Sequence, residues 1–470
     1  MENFIYQTRP GLESNTSIST MNFNWLEQLV YKNPHSIFLR VDEKKITFLE
    51  IYESANDYVR LLTSLGITKN SKVAVYLDEP IEIIKTFLAC MNIGAIFTPI
   101  KSQLKNRELE IALKHLCPDL IITNRKLTKN IQRFDFITCL IDELQNVQST
   151  TTKNIKINEN DVCAILFTSG TSGKPKAVQL TYSNFLSNAE MWNDVLNFSD
   201  DDNYLNCMPL DHIGGISIIF RALIYGFSVT LANRFNAQNI SRLIDQKNIS
   251  LISLVPTMLQ KIVDNRGDRT FPKELRTILL GGGLASEKLL KFCIKHNLPI
   301  YKTYGMTETA SGVAGFYLND YPEKISSVGT PFNNTIINIA NDEIVISSPS
   351  VMKCYLNQPD SKGVHCSGDL GKFDEDGFLY LDIRRNDLIV TGGENVNPSE
   401  VEDVINSHPK IKSSKVVGIK DDKWGQKVIA YVVMGSVDLA LGTWLVDWCK
   451  ERLSNYKVPK EFIEVDKSQD

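Results

Sequence analysis

A chain of 470 residues is too long for one simple core, so two or more domains are expected. Its composition, 43% hydrophobic and 23% charged with a net charge of −4, is ordinary for a globular protein and gives no basic field for nucleic acid or an anionic membrane. Nine cysteines stand singly, with no Cys-x-x-Cys pair and no metal-ligand spacing around the neighbours His365 and Cys366, which predicts reduced thiols and a cytoplasmic setting.

Residues 1–20 are polar, without the apolar core of a secretory signal, and read as a loose extension. Thr47 and Glu50 have the spacing of a capping box, followed by apolar residues at helical period and a stop at Gly66. Lys72–Leu77 reads as a strand, Pro80 opens a helix, Ile96–Ile100 is a strand, Leu104–Cys117 a helix and Leu120–Thr123 a strand. This alternation predicts an α/β fold with a largely parallel sheet. Residues 145–160 form a polar connector. Cys163–Phe167 is then a buried strand that breaks into Thr168-Ser169-Gly170-Thr171-Ser172-Gly173-Lys174-Pro175-Lys176. Small residues let backbone approach a ligand, hydroxyls and bare amides can cradle phosphate oxygens, and lysine adds positive charge. Only two residues separate Gly170 from Gly173, so this is not a Walker A loop, and a polar strand-to-strand turn is the plain alternative.

Thr181–Leu196 reads as a helix and Met208–Gly215 as an irregular loop. Gly214–Ala232 is apolar but carries Arg221 and a break at Gly226, so a buried helix and strand are expected there rather than a membrane span. Ser250–Val255, Thr277–Leu280 and Pro299–Tyr301 are expected strands, with a helix from about Ser286. Short strands and turns between Ile336 and Leu381 predict a small β subdomain. The charged run Arg384–Asp387 marks a domain boundary near Asn386. Beyond it, two helices (Pro398–Ser407 and Leu439–Leu453) and two strands (Ser414–Val417 and Val428–Met434) make a small α+β unit. The expected domains are therefore 1–385 and 386–470.

The loop from Thr168 to Lys176 closely resembles the signature of the adenylate-forming, or AMP-binding, superfamily of acyl-CoA ligases, luciferases and peptide-synthetase adenylation domains. Five further stretches match that superfamily in order: Pro209-Leu-Asp-His212, Gly281-Gly-Gly283, Tyr304-Gly-Met-Thr-Glu308, Ser367-Gly-Asp369, and Arg384 through Gly392-Gly-Glu-Asn-Val-Asn-Pro398. The resemblance implies a ligase that uses ATP, Mg²⁺ and CoA to activate a small carboxylic acid. Attack of the carboxylate on the α-phosphorus sets an anion against a polyanion, so cations and amide donors are needed. By resemblance, Thr168, Ser169, Gly170, Thr171, Ser172, Gly173 and Lys176 hold the pyrophosphate side. Thr307 bonds the α-phosphate, and Glu308 is the Mg²⁺ ligand, a hard oxygen for a hard ion. Asp369 accepts the ribose hydroxyls, Arg384 reaches ribose or phosphate, and Tyr304, followed by Gly305, stacks on adenine beside Gly281, Gly282 and Gly283. His212 orients the acid or gates its access. The remaining histidines are read as structural or surface groups.

For the second half-reaction, the resemblance implies rotation of the small domain about Asn386, where the superfamily usually has Asp or Lys. Gly393 then faces the active site and leaves room for the pantetheine arm of CoA. Trp424 matches a CoA-contacting position, and Lys457 and Lys460 match a basic segment near the CoA phosphates. The superfamily's C-terminal catalytic lysine, in a Gly-Lys context, has no match in Glu464–Asp470. This leaves either a shortened sequence or a weak first half-reaction as the expectation. Four stretches, among them Ser250–Pro256 and Val390–Asn395, look most like the o-succinylbenzoate–CoA ligases of menaquinone biosynthesis. That family commonly has His-Ile-Ser-Gly where this chain has His212-Ile-Gly-Gly215. A CoA ligase for another aromatic or medium-chain acid is the alternative within the superfamily. A weakly catalytic adenylate-binding protein is the alternative outside catalysis. The residues leave a homo-oligomer open.

Overall fold

The computed structural model describes residues 25–142, 156–168, 175–232, 234–382, 388–421, 423–434 and 443–465. Two large sheets and their helices make up most of it, as the α/β alternation requires. One sheet has seven strands, with the parallel run Val162–Thr168, Ile96–Pro99, Lys72–Tyr76, Leu120–Thr123 and Thr138–Leu140. The other has nine, with a parallel centre that includes Ser228–Leu231, Asn203–Asn206, Leu251–Leu254, Thr277–Leu280 and Ile300–Met306. Central strands such as Ile96–Pro99, Leu120–Thr123 and Thr277–Leu280 are buried end to end because both faces are covered.

Local signals account for many boundaries. The side chain of Thr47 accepts from the Glu50 amide, and Glu50 reciprocates, so the helix Phe48–Ser64 begins on a complete capping box. Pro80 is the first residue of Pro80–Ile93, where its missing N–H costs nothing. The apolar stretch after His212 is a buried helix, Ile213–Tyr225, closed by Gly226 in the left-handed conformation and followed by the strand Ser228–Leu231. Arg221 is buried in that helix but not orphaned. It donates to Asn188 Oδ1 at 3.0 Å and Ser311 Oγ at 3.1 Å, and its guanidinium lies 5.0 Å from the Trp192 ring. No described helix is long and apolar enough to cross a membrane.

Three expectations are corrected. The stretch Met208–Gly215 is loop only as far as His212, because Gly214 and Gly215 fall in the first helical turn. A side chain at Gly215 would strike the Pro209 carbonyl oxygen, 2.1 Å from its Cβ, so the tight loop requires a glycine there. Pro299–Tyr301 is the start of a longer strand, Ile300–Met306, which carries Tyr304 and Gly305 within it. The segment Ile336–Leu381 forms a small four-stranded sheet, but Cys354–Tyr355 leaves it to pair with Lys176–Thr181 at the edge of the seven-stranded sheet.

A separate apolar cluster spans Ile389 to Val458 and includes Val401, Val416, Val428, Leu445 and Leu453. It is the core of the expected α+β unit, built from Pro398–Asn406, Ile411–Asp421, Gly425–Met434, Thr443–Arg452 and Glu461–Glu464. All nine cysteines are free.

Candidate active site

The candidate residues gather where the parallel strands end, the usual ligand side of an open α/β sheet. Gly281–Gly283 follows the strand Thr277–Leu280, Val255 follows Leu251–Leu254, and the loop to His212 follows Asn203–Asn206. Tyr304 and Asp369 meet directly: the phenol donates to Asp369 Oδ2 at 2.8 Å, and Asp369 is only 3% exposed. Gly305 is forced by packing, since a Cβ there would lie 2.0 Å from the Ser311 carbonyl oxygen.

The stem of the Ser/Thr/Gly loop is an antiparallel hairpin in which Thr168 pairs with Lys176. Ser169, Gly170, Thr171, Ser172 and Gly173 lie outside the described residues, as do Arg384 and the hinge position Asn386. His115 supports the stem: its Nδ1 donates to the Pro175 carbonyl at 3.1 Å, and its ring meets Phe167 edge-on.

Beside the stem, the short turn Thr307–Thr309 presents Thr307 and Glu308. Tyr355, which sequence reading passed over, joins the two charged candidates. Its hydroxyl donates to Glu308 Oε1 at 2.8 Å, and the Lys176 ammonium lies 5.0 Å from its ring centroid. Burial first, and the neighbouring Glu308 carboxylate second, push the Tyr355 phenol up, so it stays a donor. His365, read as structural or surface, stands edge-on to Tyr355. Burial pushes its pKa down, with Glu308 opposing and Lys176 adding to the shift.

Among the described residues, no group of three His, Cys, Asp or Glu side chains could cage a metal. A single carboxylate, Glu308, held by Tyr355 on the same side as the Lys176 ammonium, suits Mg²⁺ that takes its other ligands from nucleotide phosphates and water.

The loop after Ile389–Thr391 enters the same crevice. Gly393, at φ +88°, packs on Val255, and an added Cβ would lie 3.0 Å from both Val255 methyls. Gly282 packs against the same valine. Next to Gly393, Glu394 reaches Lys101 Nζ at 2.8 Å and His212 Nε2 at 3.2 Å. Burial would raise the Glu394 pKa, but His212 and Lys101 reverse that and hold the carboxyl far below its usual range. Lys101 also lies 5.2 Å from the Tyr456 ring.

Trp424 lies against Gly392, with Lys261, Lys423 and Lys460 ammonium groups 5.2, 5.3 and 5.9 Å from its ring. Lys261, on the helix Pro256–Arg266, completes a cationic ring that the sequence did not reveal. Lys457 corrects an expectation. It is not presented to solvent for phosphate but lies 8% exposed, within 2.7 Å of both Glu108 and Glu400.

Several relatives of known identity fall in one group. A curated 2-succinylbenzoate–CoA ligase from Bacillus cereus is 34% identical over 93% of each chain, and one from Bacillus thuringiensis is 33% identical over 93% of each. The o-succinylbenzoate CoA synthetase of Bacillus subtilis, a double mutant bound to its product analogue OSB-NCoA, superposes with a TM-score of 0.87 at 32% identity, over 94% of this chain and 95% of that one. The same synthetase in complex with the acyl-adenylate OSB-AMP superposes at 0.73 with 32% identity, over 94% of both chains. The AMP-binding enzyme family matches residues 26–356 and its C-terminal domain residues 400–469. A site built at the sheet ends from the Thr168–Lys176 hairpin, Glu308, Asp369 and the Gly393 loop accords with these matches, and the chain belongs to the AMP-binding enzyme family.

Proposed function

We propose that this protein is an ATP-dependent o-succinylbenzoate–CoA ligase of menaquinone biosynthesis that works through an acyl-adenylate. The observation that carries the reading is the convergence in one crevice of the Tyr304–Asp369 pair, the Lys176–Tyr355–Glu308 group and the Gly393 loop. Close identity to curated ligases for this acid supports the choice of substrate.

In the first half-reaction a carboxylate oxygen of the acid bonds to the α-phosphorus of ATP while the bond to pyrophosphate breaks. Lys176 and the loop Thr168–Gly173 offset the pyrophosphate charge, Thr307 bonds the α-phosphate, Asp369 and Arg384 hold the ribose side, and Tyr304 with Gly281–Gly283 frames the base. Mg²⁺, when bound at Glu308, neutralises phosphate oxygens. His212 borders the acid. In the second half-reaction the CoA sulfur bonds to the acyl carbon, the bond to AMP breaks, and the thiol proton passes to solvent. Gly393 leaves backbone-only space for the pantetheine arm. Trp424, Lys261, Lys423 and Lys460 surround the entrance with one aromatic face and three cations, a match for an adenine bearing phosphates. The domains are 1–385 and 386–470, hinged at Asn386, and the nine free thiols support a cytoplasmic place of action.

The test is ATP-dependent thioester formation with o-succinylbenzoate beside benzoate and octanoate. Turnover confined to o-succinylbenzoate is expected. Turnover with another acid alone would replace the substrate, and ATP binding without turnover on any acid would overturn the enzymatic reading.

A further inference from the structure

A buried polar network joins the small α+β unit to the helix Asn106–Leu116 of the large one. Glu108 sits in the first turn of that helix, where Oε2 accepts from the Lys105 amide at 2.9 Å. The same carboxylate accepts from Ser454 Oγ and from Lys457 Nζ, both at 2.7 Å, across 346 and 349 residues of chain. Lys457 donates also to Glu400 Oε1 at 2.7 Å. Glu108 and Lys457 side chains are 7% and 8% exposed, and Ser454 is 1% exposed.

We propose that Glu108 is a positioning residue for the second half-reaction, acting through Lys457 and Ser454 to latch the small domain in the orientation that brings Gly393 and Glu394 to the crevice. The inference rests on the two half-reactions of the proposed function. Its physical basis is an asymmetry. When the two units separate, Glu108 returns to water and Lys457 keeps Glu400, so neither needs the other. When they dock, both are desolvated; removing the Glu108 charge leaves Lys457 its Glu400 partner but takes the charge-assisted bonds of Lys457 and Ser454 out of the contact between the units. A change at Glu108 therefore penalises the docked arrangement selectively. That arrangement carries Glu394 to Lys101 and His212, and it superposes better on the Bacillus subtilis synthetase with OSB-NCoA, at 0.87, than with OSB-AMP, at 0.73.

Three variants separate latch from fold. Glu108→Gln keeps an acceptor for the Lys105 amide but removes the charge, Glu108→Lys sets like charges together only when docked, and Lys457→Arg keeps the cation. Adenylation is read by ATP–pyrophosphate exchange with o-succinylbenzoate, and transfer by CoA-thioester formation from supplied acyl-adenylate. We expect exchange within about two-fold of the parent in all three, transfer at least ten-fold slower in Glu108→Gln, slower still in Glu108→Lys, and largely retained in Lys457→Arg. Equal losses in both half-reactions, or transfer unchanged in Glu108→Lys, overturn the latch.

A second measurement needs no turnover. Spin labels at K114C and K412C, both exposed positions, with exposed Cys117 and Cys366 replaced by Ser, report the separation of the two units in the free chain and with CoA. The docked population is expected in the parent and depleted by Glu108→Lys; a distribution that Glu108→Lys leaves unchanged overturns the latch. Absence of both pyrophosphate exchange and transfer from supplied acyl-adenylate in the parent would instead count against the proposed function, and the distance measurement would still decide the latch.

Discussion

Tyr355 holds two oppositely charged groups with one side chain, its hydroxyl on Glu308 and its ring beneath Lys176. Tyr355→Phe keeps the ring and loses the bond to Glu308. A hydrogen bond to a charged group contributes about 1.5–3 kcal/mol, so adenylation is expected to slow by roughly ten- to a hundred-fold. The Mg²⁺ concentration for half-maximal rate should rise; an unchanged Mg²⁺ requirement would refute the orienting role. Gly393→Ala tests the opposite side of the crevice. It sets a methyl against Val255 and needs a left-handed backbone, so CoA transfer should fall more than adenylation, with partial recovery in Gly393→Ala/Val255→Ala. Glu308, Asp369 and Gly393 were legible in the sequence as candidates because each lies in a contiguous motif. Tyr355, Lys101 and Lys261 were not, because their partners are distant in the chain: 47 residues separate Tyr355 from Glu308, and 293 separate Lys101 from Glu394. No local pattern encodes such a meeting. Lys457 was misread for the same reason, since its carboxylate partners are supplied by the fold.

At the scale of elements, the strand Ile300–Met306 carries a half-buried cation, two residues before Tyr304. Lys302 Nζ donates to the Ile325 carbonyl at 2.6 Å, and burial pushes its pKa down to about 8. A folded pKa below the unfolded value of 10.5 means that the unfolded chain binds the extra proton between the two. Stability contributed at this position therefore rises as pH climbs from about 8 toward 10.5. Lys302→Met is expected to flatten that rise in the thermal midpoint; an identical slope in parent and variant would refute it. Packing against the next strands is just as exacting. A Cβ at Gly329, where φ is +99°, would fall 2.3 Å from the Gly315 backbone, so Gly329→Ala should lower the thermal midpoint by several degrees or prevent folding. Elements with capping and breaking signals, such as Phe48–Ser64 and Pro80–Ile93, were legible from sequence. The helical start at Ile213 was not. His212 caps it without a side-chain hydrogen bond, and Gly214 and Gly215 read as loop until the close approach of Pro209 explains them.

For the molecule as a whole, the two units meet through charged side chains and glycines rather than a broad apolar seam at the contacts described: Glu394 with Lys101 and His212, Lys457 with Glu108, and Gly393 on Val255. Charged contacts regain hydration on separation, whereas an apolar seam would not. An interface of this kind suits parts that dock and release within a turnover. Replacing Lys101 with Met should thus raise the CoA concentration needed for half-maximal transfer by several-fold while leaving pyrophosphate exchange near the parent rate. Equal effects on both would refute that division. The α/β class and the α+β character of the smaller unit could be read from periodicity, but the docking of the two could not, because it depends on surfaces no single segment describes.

Lys457 and Lys460 stand three residues apart, yet one is sealed against two carboxylates and the other is exposed. An amine-acylating reagent should therefore mark Lys460 promptly and reach Lys457 only when the units part. The ratio of the two modification rates, read by mass spectrometry on the unlabelled wild-type chain, becomes a built-in clock for opening. Each ligand can then be ranked by how far it slows the mark on Lys457 while leaving the mark on Lys460 unchanged.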